Sequence, residues 1–75
     1  MQYCQRIKDL REDADKSQTE IAKIIGTSQS YYAQYENGKR ELPFYRAIQL
    51  AKYYNVSLDY LAGLINTPEK LHRGL

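Results

Sequence analysis

Apolar residues recur along this chain at intervals of three and four, the spacing that gathers them on one side of an α-helix, and they never alternate long enough for a strand. Ile7, Leu10 and Ala14 mark a first helix over residues 2–14. Ser17-Gln18-Thr19-Glu20 reads as a capping box, in which the Ser17 hydroxyl accepts from the Glu20 N–H and the Glu20 carboxylate accepts from the Ser17 N–H. A second helix starts there, carries Ile21, Ala22 and Ile25 on one face, and stops at Gly26, a residue suited to the left-handed conformation that closes a helix. Ser28 caps a third helix, which runs through Tyr32 and Tyr35 to about Asn37 and ends at Gly38. Pro43 suits the first turn of a fourth, whose apolar positions are Phe44, Ala47, Ile48, Leu50, Ala51 and Tyr54. Ser57 caps a short fifth helix holding Leu58, Leu61 and Ala62 before Gly63. The pattern predicts an all-α domain over residues 1–65, with residues 66–75 as a short C-terminal tail.

The second and third helices are each too short to bury an apolar face alone. The tight Gly26-Thr27-Ser28 connection forces them to cross and share one core. With Tyr32 and Tyr35 facing that core, the third helix turns Ser30, Ala33 and Gln34 outward, flanked by Gln29 and Tyr31. This face is polar, small and uncharged. An acidic face would be repelled by phosphates and a bulky one would not enter a major groove, whereas glutamine amides pair bidentately with adenine N6 and N7. Taken alone, Gln29 and Gln34 are ordinary surface amides. Gln18, at the start of the second helix, lies where free N–H groups and the positive dipole end favour a phosphate oxygen.

The run from Gln18 to Gly38, QTEIAKIIGTSQSYYAQYENG, resembles the Cro and phage-repressor (xenobiotic-response-element) helix-turn-helix family. The resemblance rests on Gln18 at the motif start, small Ala22, Gly26 in the turn, Tyr32 and Tyr35 at core positions, and the closing Glu36-Asn37-Gly38. It extends through Val56-Ser57-Leu58-Asp59-Tyr60-Leu61-Ala62-Gly63 and so covers roughly residues 5–63. It implies a compact five-helix, lambda-repressor-like DNA-binding domain, with base contacts from Gln29, Ser30 and Gln34. Ala33 shares their outward face and is placed with them. Tyr31 is placed there as well, with reach to a thymine methyl or a phosphate, or packing at the helix edge, left open. It implies phosphate contacts from Gln18, Ser28, Asn37, Lys39 and Arg40, with Tyr45 or Arg46 adding another. Arg11 and Glu36 occupy the positions of a structural ion pair. The implied protein is a sequence-specific transcriptional regulator, and a repressor is expected. It would bind a pseudo-palindromic double-stranded operator as a homodimer, joined through the fifth helix with Leu64 and Ile65. Two positions depart from the family pattern: Asp15 stands where a glycine or asparagine usually adopts a left-handed conformation, and Tyr31 and Tyr32 are larger than usual.

Composition narrows the alternatives. The 75 residues predict one compact core, without a second domain for sensing a ligand. One cysteine, Cys4, and one histidine, His72, supply neither a disulfide nor a metal-ligand cluster, so no metal or cofactor is expected. No arrangement of nucleophile and base suggests an enzyme. No apolar stretch is long enough to span a bilayer, and a reducing cytoplasm is the expected setting, in a bacterial nucleoid or on a phage or mobile element. Residues 1–37 hold five Lys or Arg against six Asp or Glu, while residues 38–75 hold six against three. Lys39, Arg40, Arg46 and Lys52 therefore form a local basic patch suited to an anionic partner. Eight tyrosines raise the possibility of a stacking platform for single strands, but Tyr32, Tyr35, Tyr54 and Tyr60 fall on core-like positions. The competing reading is a protein-interaction module such as an antitoxin, or an antitoxin that also represses its own promoter. The polar, uncharged face of Gln29, Ser30 and Gln34 favours DNA.

Overall fold

The computed structural model describes residues 2–67. Five helices follow one another: α1 (Gln2–Asp13), α2 (Gln18–Ile25), α3 (Gln29–Glu36), α4 (Phe44–Tyr54) and α5 (Leu58–Ala62). His72 and the basic residues Lys70 and Arg73 lie outside the described residues.

The helix ends follow local chemistry. The capping box forms in full: Glu20 N donates to Ser17 Oγ at 3.1 Å and Ser17 N donates to Glu20 Oε1 at 3.0 Å. The Ser17 N–H first, and the neighbouring Ser17 hydroxyl second, hold the Glu20 carboxyl below its usual pKa. Ser28 and Ser57 cap α3 and α5 through their hydroxyls. Gly26 closes α2 at φ +79°, its N–H accepted by the Ala22 and Lys23 carbonyls. Asp15 does adopt the left-handed conformation, at φ +58°, and Asn55 closes α4 in the same way at φ +56°. Three boundaries differ from the sequence expectation. Helix α1 stops at Asp13, one residue before Ala14. Pro43 sits just outside α4 as its N-cap, with extended backbone (φ −65°, ψ 153°), rather than in the first turn. Asn37 follows α3 as its C-cap instead of ending inside it.

One core holds the helices together. Ile7, Ile21, Ala22, Ile25, Tyr32, Tyr35, Leu50, Val56 and Leu61 are buried in it, with Leu10, Leu42, Ala47, Tyr54 and Tyr60 packed around them. Tyr32 and Tyr35 meet edge to face, their ring centroids 6.3 Å apart. Helix α1 packs on α3 and α5, and α4 on α2 and α5, so among the described helices α3 packs chiefly on α1 and α2 and keeps its other side open. Several expected apolar positions lie outside the core. Ala14 is exposed beyond the end of α1, Ala62 is exposed at the end of α5, Ile48 is half-buried on α4, and Phe44 is 71% exposed. Phe44 lies on the rim of an apolar groove of about 140 Å³ lined by Tyr3, Leu42, Ala47, Leu58, Leu61 and Ala62. No described residue closes that groove over the ring, so a helical apolar spacing does not by itself bury it.

Candidate nucleic-acid interface

The organising group of the interface is a buried carboxylate. Glu36, in the last turn of α3, is 9% exposed and receives two hydrogen bonds from the Arg11 guanidinium: Nε to Oε2 at 2.7 Å and Nη2 to Oε1 at 3.1 Å. A planar fork facing a carboxylate makes the strong bidentate form of an ion pair. Arg11 also donates through Nη1 to the Lys16 carbonyl at 2.9 Å, which ties the end of α1 and the loop before α2 to α3. Burial pushes the Glu36 carboxyl up, but Arg11, the neighbouring Tyr32 hydroxyl and Gln18 outweigh it and hold the pKa below its ordinary value. The Tyr32 hydroxyl is buried beside this carboxylate without reaching hydrogen-bond geometry, and acts on it as a nearby dipole. Burial first, and Glu36 second, drive the Tyr32 hydroxyl far above its normal range.

From Glu36 a chain of amides runs outward. Gln18, at the first position of α2, donates from Nε2 to Glu36 Oε1 at 3.0 Å. Its Oε1 therefore faces the other way and accepts from Gln29 Nε2 at 2.6 Å, at the start of α3. A carboxylate only accepts, so the direction of every bond in the chain is fixed from the inside. Gln29 is left with a free Oε1 and a second N–H, an acceptor beside a donor.

The other predicted contact residues divide by what already holds them. Gln29, Ser30 and Tyr31 are exposed on α3, and Ala33 and Gln34 are half-buried on it. The Ser28 hydroxyl accepts from the Tyr31 N–H at 3.2 Å and lies 3.5 Å from the Ser30 hydroxyl. Asn37 Oδ1 accepts from the Lys39 N–H at 3.0 Å, shaping the turn at Gly38. Lys39 is exposed, and Tyr45 is 59% exposed. Arg46 departs from the expected picture of a free cation: its Nη1 donates to the Ile25 carbonyl at the end of α2, and its Nε is buried without a partner. That arginine caps a helix C-terminus, where the dipole favours a cation. The links that sequence reasoning missed include Gln18 to Glu36, Gln18 to Gln29, and the packing of Arg40 on Tyr31, 4.4 Å from ring centroid to guanidinium carbon.

Two crossed short helices, the second with an open polar face and a basic segment behind it, define a helix-turn-helix module. The chain belongs to the helix-turn-helix family, whose model matches residues 7–61. It is 36% identical over 67 residues to an uncharacterised HTH-type transcriptional regulator of Bacillus subtilis, covering 89% of this chain and 60% of the relative. It is 34% identical over 71 residues to the transcriptional repressor of the cryptic phage CTXphi in Vibrio cholerae, covering 92% of this chain and 64% of the relative. The chain thus spans somewhat under two thirds of the length of these relatives. Among solved structures it resembles the P22 c2 repressor in complex with a synthetic operator (TM-score 0.72, 27% identity, 79% of this chain and 89% of that one). It resembles equally the restriction-modification controller protein of Aeromonas hydrophila (TM-score 0.72, 27% identity, 80% and 87%).

Proposed function

We propose that this chain is a sequence-specific, double-stranded DNA-binding domain of a transcriptional repressor, reading the major groove with α3. The observation that carries the reading is the amide chain from Glu36 through Gln18 to Gln29. It presents an acceptor beside a donor on an open helix face, the pattern that matches adenine N6–H and N7. A protein-docking face would not need its outermost amide oriented by a buried carboxylate. The likeness to a repressor solved on its operator and to a phage repressor supports the same function.

In this reading Gln29, Ser30, Ala33, Gln34 and Tyr31 face the bases, while Gln18, Ser28, Asn37, Lys39 and Tyr45 flank them at phosphates. Two copies bind a pseudo-palindromic site, their α3 helices entering successive major grooves about 34–36 Å apart. Leu64, 75% exposed after α5, and the half-buried Ile65 contribute to the surface between the copies. The reading is tested by selecting the purified protein against a random double-stranded DNA library and sequencing the retained duplexes. An enriched motif with two-fold symmetry supports it. No enrichment from a folded sample overturns it in favour of a protein partner, the antitoxin-like alternative.

A further inference from the structure

Arg40 follows α3 by four residues and, by position alone, belongs with Lys39 among cations reaching for the flanking phosphates. Its geometry is different. Gly38, at φ +79°, turns the chain back, so that both the Lys39 and Arg40 N–H groups donate to the Gln34 carbonyl at 3.0 and 3.2 Å. The Arg40 side chain then runs back along α3 instead of outward. Its guanidinium lies over the Tyr31 ring, 4.4 Å from the centroid, and its Nε donates to Gln34 Oε1 at 3.2 Å. Gln34 is itself held by Nε2 donating to the Ser30 carbonyl at 3.4 Å. Two residues of the recognition face thus grip one guanidinium from its face and from its Nε edge. Lys39 is exposed, with no such grip among the described residues.

We propose that Arg40 is a base-reading residue, specific for guanine in the major groove, with Tyr31 and Gln34 as its positioning residues. The proposal rests on the DNA-binding reading above. With Nε engaged by Gln34, the terminal Nη1 and Nη2 edge remains as a pair of parallel donors. That pair matches guanine O6 and N7, the two acceptors that distinguish guanine from the other bases. A phosphate also accepts two such bonds, but it needs no orientation relative to the helix axis. An arginine laid along the reading helix and clamped by two of its outward residues is oriented for a base edge. Contact with the Tyr31 ring holds the guanidinium against the face of α3, and the Gln34 bond at Nε restricts its rotation. Lysine cannot take this role, because its ammonium lacks the fork.

The test repeats the random-duplex selection with wild-type protein, Arg40→Lys and Tyr31→Leu, each checked for helix content by circular dichroism. The wild-type motif is expected to contain a guanine in each half-site. Arg40→Lys, which keeps the charge, is expected to lower the preference for that guanine roughly 10- to 100-fold while leaving the other positions readable. Tyr31→Leu is expected to lower the same preference several-fold, and 7-deazaguanine at that position should weaken wild-type binding without further weakening Arg40→Lys. A motif unchanged by Arg40→Lys, with affinity reduced alike for all sequences, overturns the proposal and returns Arg40 to the phosphates. Failure of the wild-type protein to enrich any motif overturns the DNA-binding reading as well.

Discussion

Replacing Glu36 with glutamine changes one oxygen into an amide nitrogen and removes one buried charge. The Arg11 and Glu36 side chains are 12% and 4% exposed, so solvent cannot stand in for the lost partner. Removing one member of a fully buried pair costs about 3–5 kcal/mol, because the other charge is left uncompensated. Glutamine keeps one acceptor oxygen for Arg11 but turns its NH2 group toward the remaining donors, so about 2–4 kcal/mol is expected for Glu36→Gln. At about 0.05–0.15 kcal/mol per residue, a domain of this size holds roughly 4–11 kcal/mol in all. The variant should therefore lose from about a fifth to nearly all of its stability. Urea unfolding followed by circular dichroism at pH 7 measures this as a lower midpoint at unchanged slope. The pH dependence supplies a second readout. The folded pKa of Glu36 is depressed, so its contribution is present above the ordinary carboxylate range and disappears as pH falls through the folded value. The gap between wild type and Glu36→Gln should be constant from pH 5 to 8 and close in acid, where both side chains are neutral. A loss below 1 kcal/mol at pH 7, or a gap that persists in acid, would refute the organising role given to this carboxylate.

Two further predictions concern the turn residues and the phosphates. Asp15 holds a left-handed backbone that costs an L side chain about 1 kcal/mol, so Asp15→Gly should raise the midpoint of thermal unfolding. Gly26→Ala should lower stability by about 1–2 kcal/mol through backbone strain alone, since an added Cβ meets nothing within 4 Å; a lowered midpoint for Asp15→Gly, or unchanged stability for Gly26→Ala, would mean that φ does not govern these sites. Lys39→Ala should weaken binding to every duplex alike and flatten the log–log salt dependence by about 1 for each copy bound; a change confined to one base position would contradict its place at a phosphate.

What could be read from the sequence was chemistry that acts within one turn of chain. The capping box at Ser17 and Glu20, the serine caps at Ser28 and Ser57, the closing Gly26 and the left-handed Asp15 each depend on neighbours a few residues away. The five helices and the core tyrosines Tyr32 and Tyr35 followed from spacing. What was hidden depends on what lies across the fold. Gln18 meets Glu36 eighteen residues away and Gln29 eleven away, and no local pattern selects those partners from the chain's other polar residues. Phe44 has helical spacing with Ala47 and Ala51, yet its exposure is decided by the absence of a described residue across the groove. Arg46 had the composition of a phosphate anchor, but the open end of α2, two helices earlier, claims its guanidinium.

The direction of the amide chain gives a prediction that separates orientation from mere contact. Gln29→Ala should cost about 1–3 kcal/mol at one adenine position, as the loss of a bidentate pair requires. Gln18→Met keeps the bulk of Gln18 but removes both of its hydrogen bonds, to Glu36 and to Gln29. Gln29 is then free to rotate its amide, and an amide presenting either edge no longer distinguishes adenine as well. The expected loss of adenine preference is about 0.5–1.5 kcal/mol, the net value of the bond that oriented it. In the Gln18→Met, Gln29→Ala double variant, the two losses at that base should not add, since Gln18 has nothing left to orient. Competitive binding to duplexes differing only at that base pair measures each corner of the cycle. If Gln18→Met instead weakens all duplexes equally and leaves the adenine preference intact, Gln18 acts only on a phosphate. The buried carboxylate would then stabilise the fold without setting what the reading face presents.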